Sequence, residues 1–468
     1  MPAKSSKVSI WIPAAAGLAA IVAVVAWLVS GPSQPLALRV PGTDHAPGSD
    51  SATYTNAVLA GKLLLSTGKP GTRSGAWPQF RGTDYDGIGK TGAKLARAWD
   101  ASGPRALWAI DVGDGYAGAA IRSGRVYLMD YDHATKQDAL RCLSAEDGAE
   151  IWRYGYPVAV KRNHGMSRTV PAVTDQFVVA MGPKCHVVCV DSATGSLRWG
   201  LDLVKQYGAT IPPWYAGQCP LVDKEAILLA PGGPNALLLA LRAETGAPIW
   251  QTPNPHGWKM THSSIMPMEV QSERIYVYCA NNGVVGVSAK DGTLLWETTA
   301  WKISIATVPS PLVLPEGRVF LSGGYNAGSL MLQVTNDQGH WQCRTLFKLD
   351  PDVFGATQHT PIFYENHIYG VRPDGHFVCL GLDGKIVWTS QGSDQFGLGP
   401  FLVADGLIFA MNDTGLLRLI EATPEKYHRL SEARVLNGHE SWGPMALADG
   451  RLYARDLTRL VCLDVGPR

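Results

Sequence analysis

The chain is short of charge, of paired cysteines and of enzyme signatures. Only 17% of its 468 residues are Asp, Glu, Lys or Arg, and the formal net charge is +1. That leaves no broad basic face for a polyanion, so nucleic acid is not an expected partner. Eight cysteines are present without a single Cys-x-x-Cys pair, which argues against structural zinc. No Walker-type loop, nucleophile elbow or His-Glu-x-x-His helix occurs, and the common signatures of nucleotide, acyl-transfer and zinc-protease chemistry go with them. The acidic turns Asp84 to Gly87 and Asp130 to His133 lack the ligand ladder of a calcium loop and read as ordinary turns. What is plentiful is apolar residue and turn: 46% hydrophobic, 51 glycines and 31 prolines. A large core cut by many turns follows.

One long apolar run exists. Residues 8–29, VSIWIPAAAGLAAIVAVVAWLV, carry no charge, and a helix of that length crosses a hydrocarbon core of about 30 Å. Lys4 and Lys7 precede it, and the next basic residue is Arg39. This bias places the N-terminus in the cytoplasm and the remainder outside. The run exceeds the about 7–15 residues of a signal-peptide core, its exit WLVSGPS offers no clean cleavage site, and no lipobox-like cysteine follows. The reading is a cytoplasmic stub with an uncleaved transmembrane signal anchor over 1–30, a single pass through the inner membrane, and a flexible periplasmic linker over 31–76. Within the linker, residues 54–66 read as chain grazing the surface.

From residue 77 onward a repeat dominates. LRCLSAEDGAEIW ends at Trp152, VVCVDSATGSLRW at Trp199, LLALRAETGAPIW at Trp250, VVGVSAKDGTLLW at Trp296, and a shorter copy at Trp388. In all five a glycine stands four residues before the tryptophan: Gly148, Gly195, Gly246, Gly292 and Gly384. A hairpin turn held at positive φ needs a residue without Cβ. Each copy is preceded by further short strands, giving eight units of roughly four strands with a period of about 40–50 residues. Sheets this small cover one another only when packed around an axis. The expected fold is all-β: an eight-bladed propeller of four-stranded antiparallel blades over 77–468, preceded by the one transmembrane helix.

Two units are worn, with Phe347 and Tyr427 standing near the place of the tryptophan, and the eighth lacks a last strand. The segment around Trp108, near 105–110, is expected to supply that strand and close the ring. Tryptophans at one phase of successive blades read as packing. Cys142, Cys189, Cys379 and Cys462 share another phase with Ala240 and Gly286, so they read as small core residues too far apart to pair.

The motif Asp-x-x-Thr-Gly-x-x-x-Trp, best seen at Asp191 to Trp199, resembles the repeat of pyrroloquinoline quinone (PQQ)-like propellers, which include quinoprotein alcohol dehydrogenases and BamB-like assembly factors. WPQFRGTDYDGIG, Trp77 to Gly89, and EATPEKY, Glu421 to Tyr427, are similar to a bacterial branch of such repeat proteins. The dehydrogenase resemblance implies PQQ, calcium, a catalytic aspartate and commonly a disulfide between adjacent cysteines; no two cysteines here are adjacent, and no ligand set or aspartate matches. The BamB-like resemblance implies a binding scaffold at the envelope.

Any site is expected at the axis, where the leads into the innermost strands converge. They supply His164 and Arg168 from the second blade, Trp214 and Gln218 from the third, His262 from the fourth, Gln358 and His359 from the sixth, and Trp442 from the eighth. Three imidazoles with Arg168 suggest a metal or an anionic ligand; the plainer reading, which carries more weight, is that each histidine caps a loop or bonds a neighbouring strand. The expected function is a membrane-anchored scaffold binding an envelope protein or small ligand, with no catalytic residue assigned. PQQ and calcium enter only under the alternative of a quinoprotein dehydrogenase.

Overall fold

The computed structural model describes residues 8–29, 56–90, 92, 94–100 and 102–467. Helix α1 spans Val8–Val29, with side chains described over residues 15–26 and at Val29. Among the described residues no helix is long and apolar enough to cross a membrane. The anchor expected over 8–29 is therefore taken up below as a proposal.

Eight sheets follow, six of four strands and two of five. Seven blades run in chain order over 120–157, 172–202, 221–251, 266–298, 312–349, 362–389 and 401–434. The eighth takes three strands from 446–464 and its outermost from β3, Arg105–Asp111, in the order that closes the ring. Strands in the middle of a blade are sandwiched between neighbours and are continuously apolar, as in Phe177–Met181 and Leu407–Met411, both buried throughout. Outer strands are more exposed, and His340–Leu349 alternates half-buried with exposed positions over most of its length, one side packed and one toward water.

The repeat phase has a geometric cause. In each regular blade the tryptophan of the outer strand lies directly opposite the small residue of its neighbour: Trp152 and Cys142, Trp199 and Cys189, Trp250 and Ala240, Trp296 and Gly286, Trp388 and Cys379, Trp108 and Cys462. An indole lying across the strand leaves room for little more than a thiol. All eight cysteines are free, and all but Cys343 are buried.

The indole then crosses to the next blade and covers its turn glycine. A Cβ on Gly148 would stand 2.8 Å from Trp108 Cε3, on Gly195 2.6 Å from Trp152 Cδ2, and on Gly246 2.7 Å from Trp199 Cδ2. The Trp250 ring covers Gly292 in the same way. These glycines sit at φ between 70° and 76°, so the position demands glycine both for its backbone and for the ring above it. Trp108 and Trp199 also donate Nε1–H to the carbonyls of Ala145 and Ala243 in the following blade, at 3.2 and 2.8 Å.

The worn units resolve differently. Phe347 takes the tryptophan position, opposite Met331, and covers Gly384. Tyr427 does not: Ser431 stands at that register, opposite Leu419. Tyr427 instead packs on the Trp388 ring at 5.7 Å and donates to Asp394. The space that Ser431 leaves is used by Trp99, whose ring reaches Phe409 at 6.3 Å.

The linker expectation over 31–76 also needs correcting where the structure describes it. Residues Ala57–Ala60 form a 3-10 turn, and β1, Lys62–Leu65, pairs antiparallel with the outer strand of the first blade, Leu65 opposite Trp152. An outer blade edge offers unpaired backbone groups, and the leucine-rich segment satisfies them as a fifth strand.

Candidate functional site

The loops leading into the innermost strands surround one cavity of about 330 Å³ on the axis. His164, Arg168, Trp214, His262, Gln358, His359 and Trp442 all line it. Gln218 does not join them. It is fully buried inside the third blade, where its amide accepts from Ala230 N at 2.8 Å and donates to Ala230 O at 3.3 Å.

The floor comes from the segment before the propeller. Trp77, Phe80, Arg81 and Gly87 line the cavity from within, because residues 77–89 run across the bore and bond to five blades. Trp77 exchanges backbone hydrogen bonds with Ile121, Pro78 O accepts from Val173, Gly87 O accepts from Val403, and the Tyr85 hydroxyl donates to Val222 O. Strand β2, Ile88–Gly89, lies parallel to Val403 and Ala404. Arg81 fixes the crossing: its guanidinium donates to the carbonyls of Tyr85, Asp86, Thr360 and Pro361 at 2.9 to 3.0 Å. Burial pulls its pKa down to about 10, with Asp86 opposing, and the four carbonyls disperse its charge. The result is a blind pocket, not a through-channel.

The walls are aromatic and weakly cationic. Trp77, Phe80, Tyr116, Trp214, Tyr325, Phe401 and Trp442 contribute rings, and among the described residues no carboxylate lines the cavity. Arg168 lies over the Tyr116 ring, 4.9 Å from its centre, a cation–π contact. Its Nε and Nη2 are sealed from water with no hydrogen-bond partner, and burial lowers its pKa to about 10. The Tyr116 hydroxyl donates to Glu440 at 2.7 Å, and Trp442 Nε1 donates to Asp413 at 2.7 Å. Both carboxylates are thus engaged behind the rings.

His262 and His359 are each lowered to about 4, burial being the larger cause; Arg168 adds repulsion at His262, while backbone carbonyls of Gly399 and Leu398 pull His359 partly back. Both are neutral at pH 7. His359 is only 7% exposed, and neither ring nitrogen makes a hydrogen bond of normal geometry. Gly217 lets the His262 ring approach, since a Cβ there would stand 2.7 Å from its Nδ1. His164 is exposed and Trp214 half-buried, at φ 56° and 63°. Among the described residues no cluster of His, Cys, Asp or Glu is placed to hold a metal ion; the imidazoles share a cavity, not a ligand set.

Sequence reasoning missed Tyr116 and the floor. A signal for Tyr116 existed: Tyr116-Ala117-Gly118 repeats Tyr215-Ala216-Gly217 of the third-blade lead. The floor residues stood in the quoted WPQFRG segment, but nothing local says that it crosses the bore.

Eight blades, four of their seams fastened by tryptophan over glycine, with inner-strand leads gathered around an axial cavity, define a PQQ-like repeat propeller. A family profile described as outer membrane protein assembly factor BamB matches residues 88–210 and 136–390, well over half the chain, and the chain belongs to that family. It is 21% identical over 351 residues to the outer membrane protein assembly factor BamB of Yersinia pestis, covering 71% of this chain and 80% of that one. Among solved structures, BamB from Moraxella catarrhalis superposes with a TM-score of 0.55 at 13% identity, over 77% of this chain and 99% of that one. A europium-containing methanol dehydrogenase gives 0.57 at 12% identity, over 81% and 89%. At these identities the structural likenesses concern the fold.

Proposed function

We infer that this chain is an extracytoplasmic binding scaffold, held at the inner membrane by residues 8–29, that presents the open mouth of the axial cavity to an envelope protein or a small ligand. The observation that carries the reading is the cavity itself: a floored pocket walled by aromatic rings and an unpaired guanidinium, built for holding. Membership of the BamB family supports an assembly role, since the relatives are described as outer membrane protein assembly factors. The charge-free run and the Lys4 and Lys7 bias support the anchor.

The alternative of a quinoprotein dehydrogenase meets a poorer fit. Calcium takes about six to eight oxygen ligands, usually with carboxylates among them, and the cavity wall supplies none. No aspartate reaches the wall to serve as a base, and no two cysteines are adjacent.

The test is a photo-crosslinking amino acid at Tyr325, an exposed residue on the cavity rim, in the full-length chain in its native host. A defined envelope protein captured there, and not from a probe at Glu316 on a turn at the other end of the same blade, supports the scaffold. Equal labelling from both positions refutes it. Carbonate extraction of the same cells tests the anchor: release of the chain from membranes excludes it.

A further inference from the structure

Arg168 is the one charged side chain lining the cavity, among the described residues, whose buried nitrogens the fold leaves without hydrogen-bond partners. It faces no carboxylate through a hydrogen bond or ion pair; Nε and Nη2 are sealed and unpartnered, leaving Nη1 as the nitrogen open to the cavity. Arg81, lining the same cavity, shows the contrast with its four carbonyl partners. A buried charge without a partner is costly, and native structures rarely leave buried polar groups without a hydrogen-bond partner. His359, also unpartnered and buried on the wall, offers a second polar contact without adding charge. The wall therefore presents two guanidiniums, of which Arg81 is engaged by carbonyls and Arg168 is not, with neutral imidazoles and seven aromatic rings around about 330 Å³, a volume at the lower end of the roughly 300–1,000 Å³ of small-molecule sites.

We propose that the axial cavity binds a small aromatic monocarboxylate, its carboxylate paired with Arg168 and its ring held among Tyr116, Trp214, Trp442 and Phe401. This rests on the cavity being the working site of the scaffold. A single carboxylate suits the one guanidinium left without hydrogen-bond partners, since the Arg81 guanidinium is already engaged by four carbonyls. With Nε and Nη2 sealed, Nη1 is the nitrogen left to donate to the carboxylate, a charge-assisted end-on contact, and rings stacked on rings supply the remaining affinity. The floor of residues 77–87 limits the occupant to a small molecule, since nothing threads through.

The experiment titrates the purified full-length chain in detergent with benzoate and indole-3-acetate against benzamide and indole-3-acetamide, by calorimetry and tryptophan fluorescence. The acids are expected to bind at least about 10-fold more tightly than their amides, and Arg168→Gln to weaken the acids alone by about 10- to 100-fold. Arg168→Lys, which keeps the charge, should recover part of the loss. Acid and amide binding alike, no binding of either, or unchanged acid binding by Arg168→Gln overturns the proposal. Because the substitution removes an unpaired charge, the unliganded variant should melt no lower than wild type. If it does not fold, the wild-type acid-to-amide ratio decides the matter alone. Crosslinking from Tyr325 in the Arg168→Gln chain keeps the two readings apart: partner capture retained with acid binding lost supports both.

Discussion

The Trp152 ring lies over Gly195 of the next blade so closely that a Cβ on the glycine would fall 2.6 Å from Cδ2. One residue type fixes the backbone of a turn and another uses the space that it leaves, and the pair joins two sheets that share no continuous hydrogen-bonded ladder. The same contact at Trp108 and Gly148 joins the last blade to the first.

Gly195→Ala is expected to destabilise the propeller by about 1–3 kcal/mol, the usual cost of overpacking, with the positive-φ penalty added. Gly257→Ala is the control, since Gly257 has φ 62° and nothing within 4 Å of a Cβ. It should lose only the backbone contribution. Urea unfolding of both variants compares them, and equal losses would show that the indole yields freely.

Trp108→Ala should be more costly, about 3–5 kcal/mol, because it empties the slot beside Tyr453 and frees the only strand that closes the ring. Limited proteolysis should then cut near Arg105. If unfolding is unchanged and β3 remains protected, closure does not depend on the indole.

Arg81→Met removes the donor from four carbonyls at once. Leaving buried acceptors unpaired costs about 1–3 kcal/mol each before relaxation, so a loss of at least about 3 kcal/mol is expected. Hydrogen exchange should rise at residues 77–89 before it rises in the blades; a uniform rise would mean that the floor is not a separate unit.

Acid should weaken the fold through His359. Its folded pKa of about 4 lies below the ordinary 6.5, so the unfolded chain binds more protons between those values and stability falls as pH drops through the window. Asp138, fully buried beside Tyr156 and raised to about 7 chiefly by burial, acts with the opposite sign over much of the same range. The difference between wild type and His359→Leu is therefore the quantity to measure. It should shrink from pH 7 to pH 4, and a constant difference would place the imidazole in contact with solvent.

Blade number, strand order within blades and the closing strand were legible in the sequence, because each is set by local rules that repeat: a glycine for the turn, a small residue opposite an indole, an alternation that selects the buried face. The gathering of seven side chains at the axis was legible for the same reason, since equivalent positions in equivalent blades converge. Tertiary structure alone decided the rest. Ser431, not Tyr427, takes the indole register because the connection there is longer, Leu419 pairing with Ser431 twelve positions on where Cys189 pairs with Trp199 ten positions on, and Trp99 fills the gap from outside the repeat. Gln218 turns into its own blade because the Ala230 backbone offers it both a donor and an acceptor. Arg81 floors the cavity only by meeting Thr360, 279 residues away. No periodicity encodes such contacts, since they depend on where a non-repeating segment comes to rest once the ring has closed.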